Sequence, residues 1–191
     1  GGIAEGFRYV WRRPDLMAVL VVLFLIGTFG LNFPIFISTM SLTAFHGGAG
    51  QYGLLTSAFA VGSVGGALYS AYRSQPGTDV LCAASAEFGT GCALAGLAHN
   101  ETLFAAALVL TGLAALVFAT GTNSLMQLTT EPAMRGRVMA LRIAVAMGGT
   151  PLGAPIVGWI TDHFGPRWAL GVGAASGIAA MLVALRHMAG R

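Results

Sequence analysis

The sequence predicts an all-α membrane protein with six transmembrane helices, and three observations carry that prediction. From Leu16 to Tyr72 the chain runs 57 residues without an Asp, Glu, Lys or Arg. That is too long for any water-facing element and long enough for two bilayer crossings of about 20 residues each with a turn between them. Only 9% of all residues are charged, against 55% hydrophobic, and 28 are glycine, as closely packed membrane helices require. Finally, the ten basic residues are all arginine and fall near the ends of the apolar segments.

Six spans follow in order: residues 16–40, 50–72, 80–98, 102–127, 139–160 and 168–185. Short connectors separate them, punctuated by His46-Gly47-Gly48, Gln75-Pro76-Gly77, His99-Asn100, Glu131-Pro132 and Gly165-Pro166. β-barrel strands would be about half as long and would alternate in polarity. With six crossings, nine arginines (8, 12, 13, 73, 135, 137, 142, 186 and 191) share one side and Arg167 lies on the other. The positive-inside rule makes the nine-arginine side cytoplasmic, with both termini inside. The basic balance is therefore a topology signal, and nucleic acid is not an expected partner; membrane lipid is.

Residues 1–15 form a separate element. Ile3, Phe7, Val10 and Trp11 follow one helical stripe, with Glu5, Arg8 and Arg12 off it. This predicts a short amphipathic linker helix on the cytoplasmic membrane surface, ended by Pro14. Residues 16–185 form the bundle and 186–191 a cytoplasmic tail. The chain begins Gly-Gly-Ile, which reads as a piece of something longer.

Pairs of glycines four apart, Gly62/Gly66, Gly149/Gly153 and Gly173/Gly177, allow close helix contacts. The fifth span adds Pro151 and Pro155, which free the carbonyls of Met147 and Pro151. Gly149, Pro151, Gly153 and Pro155 are read as a hinge or gate, or else as a structural kink. The helix should bend against a neighbour and not face lipid.

Glu87 is the one acid well inside a span. An ionised carboxylate there is costly, so it must be protonated, paired or wet. It is a proton-coupling candidate, or a neutral group holding helices together. Neutral polar residues cluster twice. The first span carries Thr28, Asn32, Ser38 and Thr39 beside Phe29, Phe33 and Phe36, with Pro34 freeing the Gly30 carbonyl. The fourth ends Thr120-Gly121-Thr122-Asn123-Ser124-Leu125-Met126-Gln127, with Asn123 and Gln127 four apart on one face. Such amides either bond across helices or line a wet cavity suited to a moderately apolar ligand.

Cys82 and Cys92 would lie about 15 Å apart on one helix, too far for a disulfide. The four histidines fall at helix ends or connectors, away from metal-ligand spacing. No nucleophile, phosphate-binding or zinc signature is present. The chain is not expected to be an enzyme, and no cofactor is implied.

The ordered motifs Asn123-x-x-x-Gln127, Glu131-Pro132-x-x-Arg135-Gly136-Arg137-Val138-Met139-Ala140-Leu141, Gly149-x-Pro151-x-Gly153-Ala154-Pro155 and Gly158-x-x-x-Asp162-x-x-Gly165-x-Arg167 resemble the carboxy-terminal half of a major facilitator superfamily transporter. They are most similar to the branch holding the enterobactin exporter and related drug-efflux proteins. The opening Glu5-Gly6-x-Arg8-Tyr9-Val10-x-Arg12-Arg13-Pro14-Asp15-Leu16 resembles that branch's central linker. The resemblance implies half of a twelve-helix fold, built as two inverted three-helix repeats. It makes the second and fifth spans internal counterparts. It places Asn32, Phe36, Thr120, Asn123 and Gln127 on cavity-lining helices, and Glu87 on a helix that is usually peripheral. Glu131, Arg135 and Arg137 fall in a cytoplasmic loop, with the arginines anchoring it and pairing with Glu131, or serving only as positive-inside anchors. The Ala71–Gly77 connector lacks the fuller Asp/Arg pattern of relatives.

The expected function is half of a proton-coupled exporter of a small, moderately apolar molecule, working by alternating access in the bacterial cytoplasmic membrane. The missing amino-terminal six-helix half, or a second copy, would complete it. The alternative is a non-transporting membrane scaffold or truncated assembly module.

Overall fold

The computed structural model describes residues 2–73 and 77–190. Ser74, Gln75 and Pro76 of the second connector and Arg191 of the tail lie outside them. Helix α1 (Gly2–Trp11) precedes the first span, which consists of α2 (Pro14–Leu25), a π-helical stretch Ile26–Gly30, α3 (Phe33–Thr39) and a second π-helical stretch Met40–Ala44. The remaining spans are α4 (Ala49–Tyr72), α5 (Thr78–Leu97), α6 (Glu101–Thr129), α7 (Arg135–Phe164) and α8 (Pro166–Ala189). All six are long and apolar enough to cross a membrane. No strand occurs among the described residues.

The sequence places the helix ends. Pro14 and Pro166 open α2 and α8 at first-turn positions, where a missing N–H costs nothing. The Asn100 side chain accepts from the Leu103 N–H at 2.8 Å and caps α6. Gly165, at φ 95°, makes the abrupt turn between α7 and α8 that other residues disfavour. The spans outrun their apolar cores. Helix α7 begins at Arg135 and ends at Phe164, and α8 continues to Ala189, so most of the expected tail is its last turn.

The break in the first span is the main departure from a plain six-helix reading. The Leu31 N–H reaches back five residues to the Ile26 carbonyl at 2.9 Å, and Asn32 leaves helical geometry at φ −100°, ψ 39°. Pro34 then sits in the first turn of α3, where it need not donate. The wide turn and the restart separate the two halves of the span at mid-depth.

Contacts between spans obey an internal symmetry. Exchange spans 1–3 with spans 4–6, and the principal packing pairs map onto one another. The second span packs on the fourth as the fifth packs on the first; the third packs on the fourth as the sixth packs on the first; the third and sixth pack on each other. These are two inverted three-helix repeats. Matching glycine notches hold the equivalent seams. A Cβ on Gly62 would strike the Val109 carbonyl, and one on Gly66 would lie 2.5 Å from the Leu113 oxygen. Across the symmetry-related seam, a Cβ on Gly149 would lie 2.7 Å from the Thr28 hydroxyl, and one on Gly153 would strike the Thr28 carbonyl. Where the third and sixth spans cross, Gly177 approaches the Gly89 backbone closely enough that a Cβ would lie 2.5 Å away. Backbones this close exchange dispersion and Cα–H···O contacts that larger side chains would prevent.

Candidate functional site

The sequence's polar residues divide between interior and surface. Asn32 is 1% exposed, and its amide donates to the Thr28 carbonyl of its own span at 2.8 Å. Phe36 is fully buried. It packs edge-on to Phe33 (centroids 5.6 Å), which in turn meets Phe59 at 4.2 Å and Phe88 at 6.0 Å. Both residues therefore lie inside the bundle and not on an open face. The break at Asn32 turns its side chain back onto the helix, and the aromatic cluster occupies the place expected to be a cavity wall.

The fourth span shows the opposite. Helix α6 is gripped on one side by α4, through the Gly62 and Gly66 notches and a 2.8 Å contact between the Ser70 and Thr120 hydroxyls. On another side it is met by α7, where the Arg142 guanidinium donates through Nη2 to the Ala119 carbonyl at 2.9 Å and to the Thr122 hydroxyl at 3.2 Å. Asn123 follows Thr120 by three residues and Ala119 by four, so it stands between these two seams. It is half-buried and bonds none of the described residues. Thr120 and Gln127 turn toward a cleft of about 490 Å³ that Ser70, Arg73, Val80 and Ser124 also line, at the arginine-rich end between α4, α5 and α6. Thr120 and Gln127 thus share one opening, and Asn123, one turn before Gln127, does not line it.

In the sequence Arg142 falls three residues into the fifth span and is grouped with the arginines of one side. Its true position needs the helix boundary: α7 starts seven residues before it. The sequence places no acid near it, and none of the three ion pairs among the described residues includes it.

Those three pairs lie at the arginine-rich end. Arg137 meets Glu5 at 3.2 Å, tying α1 to α7 where Gly6 approaches the Arg137 backbone. The expected pairing of Arg137 or Arg135 with Glu131 is not formed. Arg135 instead donates to the Gln127 carbonyl at 3.1 Å, at the end of α6, and the Glu131 backbone N–H reaches the Tyr9 hydroxyl at 3.4 Å. The reason is local: the α6–α7 turn leaves α6's last carbonyls without helical partners, and a guanidinium satisfies them. Arg13 bridges Asp15 at 2.7 Å and the Thr129 carbonyl at 3.2 Å. Its hydrogen bond to Asp15 raises its pKa above the ordinary arginine value. Arg73 pairs with Asp79 at 3.2 Å across the second connector. At the opposite end Arg167 donates to the Gly96 and Ala98 carbonyls at 2.8 and 2.7 Å, capping α5.

The α1 stripe is split. Gly6 and Val10 are buried against the bundle, whereas Ile3, Phe7 and Trp11 face outward. Glu87 is exposed on the outer face of α5 and pairs with none of the described residues. In α7, Gly149 and Gly153 form the packed edge, while Pro151 and Pro155 are exposed on the opposite side. The fifth span therefore meets its neighbour through glycine, with its proline face open in this chain. Cys82 and Cys92 are free thiols, and no group of His, Cys, Asp or Glu among the described residues is placed to hold a metal.

Burial differs sharply between spans. Only 17% of the most apolar stretch of the second span, and 17% of the fifth, is buried in the chain, against 44–61% for the other four. These two symmetry-related spans flank the α6 face that carries Asn123. The family model described as Major Facilitator Superfamily matches residues 16–189. No match is found among curated proteins.

Proposed function

Because the chain belongs to the Major Facilitator Superfamily, we propose that this membrane transporter polypeptide forms one half of a proton-coupled exporter in a bacterial cytoplasmic membrane. The observation that carries this reading is the pair of poorly buried spans flanking a polar face. Helices α4 and α7 bury little against their own chain because a second six-helix half covers them. That half, amino-terminal or a second copy, closes a cavity over Asn123. The arginine-rich end, with both termini, faces the cytoplasm.

Alternating access then follows from the packing. The glycine seams are backbone contacts without interlocking side chains, so each three-helix repeat shifts against the other as a rigid unit. Pro151 and Pro155 break the hydrogen-bond ladder of α7 opposite its glycine seam, giving the shift a bending point. The substrate is a small molecule with a largely apolar body, bound among neutral amides. The resemblance to the enterobactin-exporter and drug-efflux branch supports the outward direction.

The test is transport by the protein in proteoliposomes with its complementing half. An imposed pH gradient is expected to drive the neutral, largely apolar fluorophore N-phenyl-1-naphthylamine out of the arginine-rich side's compartment, and a protonophore to abolish it. Gradient-independent movement would remove the proton coupling. No movement, with both halves folded and assembled, would reduce the chain to an assembly module.

A further inference from the structure

Arg142 is a cation inside a membrane helix without an anion. Helix α7 begins at Arg135, so Arg142 lies about 10 Å along its axis. Long arginines at such depths usually reach back to the interface. This one reaches inward. Its Nη2 bonds Ala119, which lies ten residues, about 15 Å, inside the end of α6 at Thr129. Its Nε is buried with no hydrogen-bond partner, and Nη1 engages no acceptor among the described residues. Two neutral oxygens hold the guanidinium in place without neutralising it. A charge in low dielectric is retained only when something pairs with it.

We propose that Arg142 is an anion-binding residue in the cavity, and that the transported molecule carries a carboxylate or similar anionic group on its apolar body. This rests on the reading of the Asn123 face as the cavity wall. The bonds to Ala119 and Thr122 hold the guanidinium through Nη2 and leave Nη1 free to donate to a carboxylate. Asn123 stands one turn beyond Ala119 on the same face, so its amide supplies a further donor. The bond to Thr122 is a neutral hydroxyl contact, so the site stays cationic when empty and attracts the anion.

The experiment compares 1-pyrenebutyrate with its neutral counterpart 1-pyrenebutanol, binding to the protein with its complementing half in neutral-lipid nanodiscs, corrected against empty discs. The parent is expected to favour the carboxylate by about tenfold or more, the range of a charge-assisted hydrogen bond. Arg142→Gln should bring the two within about twofold while pyrenebutanol affinity holds, which also shows the variant is folded. Arg142→Lys should keep part of the preference. Equal affinity for both probes in the parent, or an undiminished preference in Arg142→Gln, overturns the proposal. Carboxylate preference that emerges only after an acidic residue of the complementing half is neutralised also overturns it, because the anion then belongs to the protein. If neither probe shields a cysteine at position 123 from a thiol reagent, the cavity reading itself fails. If both shield it equally, only the anion assignment fails.

Discussion

Thr28 and Gly153 meet backbone to backbone: the Thr28 carbonyl occupies the place a side chain on Gly153 would take. The symmetry-related seam repeats the arrangement with Val109 and Gly62. The two least-buried spans therefore each meet the bundle through a matching glycine edge.

Substitution at these notches should cost stability. Gly153→Ala and Gly62→Ala force helix backbones apart, an overpacking cost of about 1–3 kcal/mol each. Gly148→Ala and Gly158→Ala place a methyl where nothing lies within 4 Å, so they should be neutral or gain up to about 1 kcal/mol of helix propensity. Thermal unfolding of the four variants in detergent checks this. Equal midpoints for all four would mean the seams are looser than described.

Asn32 and Asn123 should separate in assay. Asn32 is buried and bonds its own span, so Asn32→Ala should lower stability by about 1 kcal/mol and leave ligand affinity unchanged. Asn123 faces the open side, so Asn123→Ala should weaken binding by about 0.5–1.5 kcal/mol at unchanged stability. Paired binding and unfolding measurements decide it; the reverse pattern would move the cavity to the first span.

The proline pair should matter for rate. Replacing both Pro151 and Pro155 with Ala restores two ladder hydrogen bonds in α7. Transport turnover should fall severalfold at equal protein level. Unchanged turnover would reduce the prolines to packing.

Glu87 should be dispensable if its outward position holds through the cycle. Glu87→Gln is expected to leave the pH dependence of transport unaltered, because no described residue pairs with it and α5 lies away from the Asn123 face. A shifted pH profile would return Glu87 to the proton path.

The division between legible and hidden features has a physical basis. Span count, connector positions and glycine notches are local: each depends on a run of apolar residues, a breaker or an i, i+4 pair. Side-chain destinations are not local. Asn32 and Asn123 are both amides in apolar helices, yet a wide turn buries one and a gap between two seams exposes the other. Arg142 reads as a charge at the start of the fifth span until α7 is seen to start at Arg135, a further turn before that span. The split α1 stripe has the same origin: Val10 and Phe7 share a helical face in sequence, but docking through Gly6 claims only one edge of it.

We propose that the α6 face carrying Asn123 is a cavity wall open to the arginine-rich side and covered by bound substrate. It is tested most directly by single-cysteine labelling of Asn123→Cys, with both native cysteines replaced, in sealed vesicles of known orientation containing the complementing half. A membrane-impermeant thiol reagent should reach position 123 from the arginine-rich side, and a transported compound should protect it, while Glu87→Cys on the outer face should show no protection. Labelling at 123 that no transported compound affects, or that matches position 87, would remove Asn123 from the cavity wall.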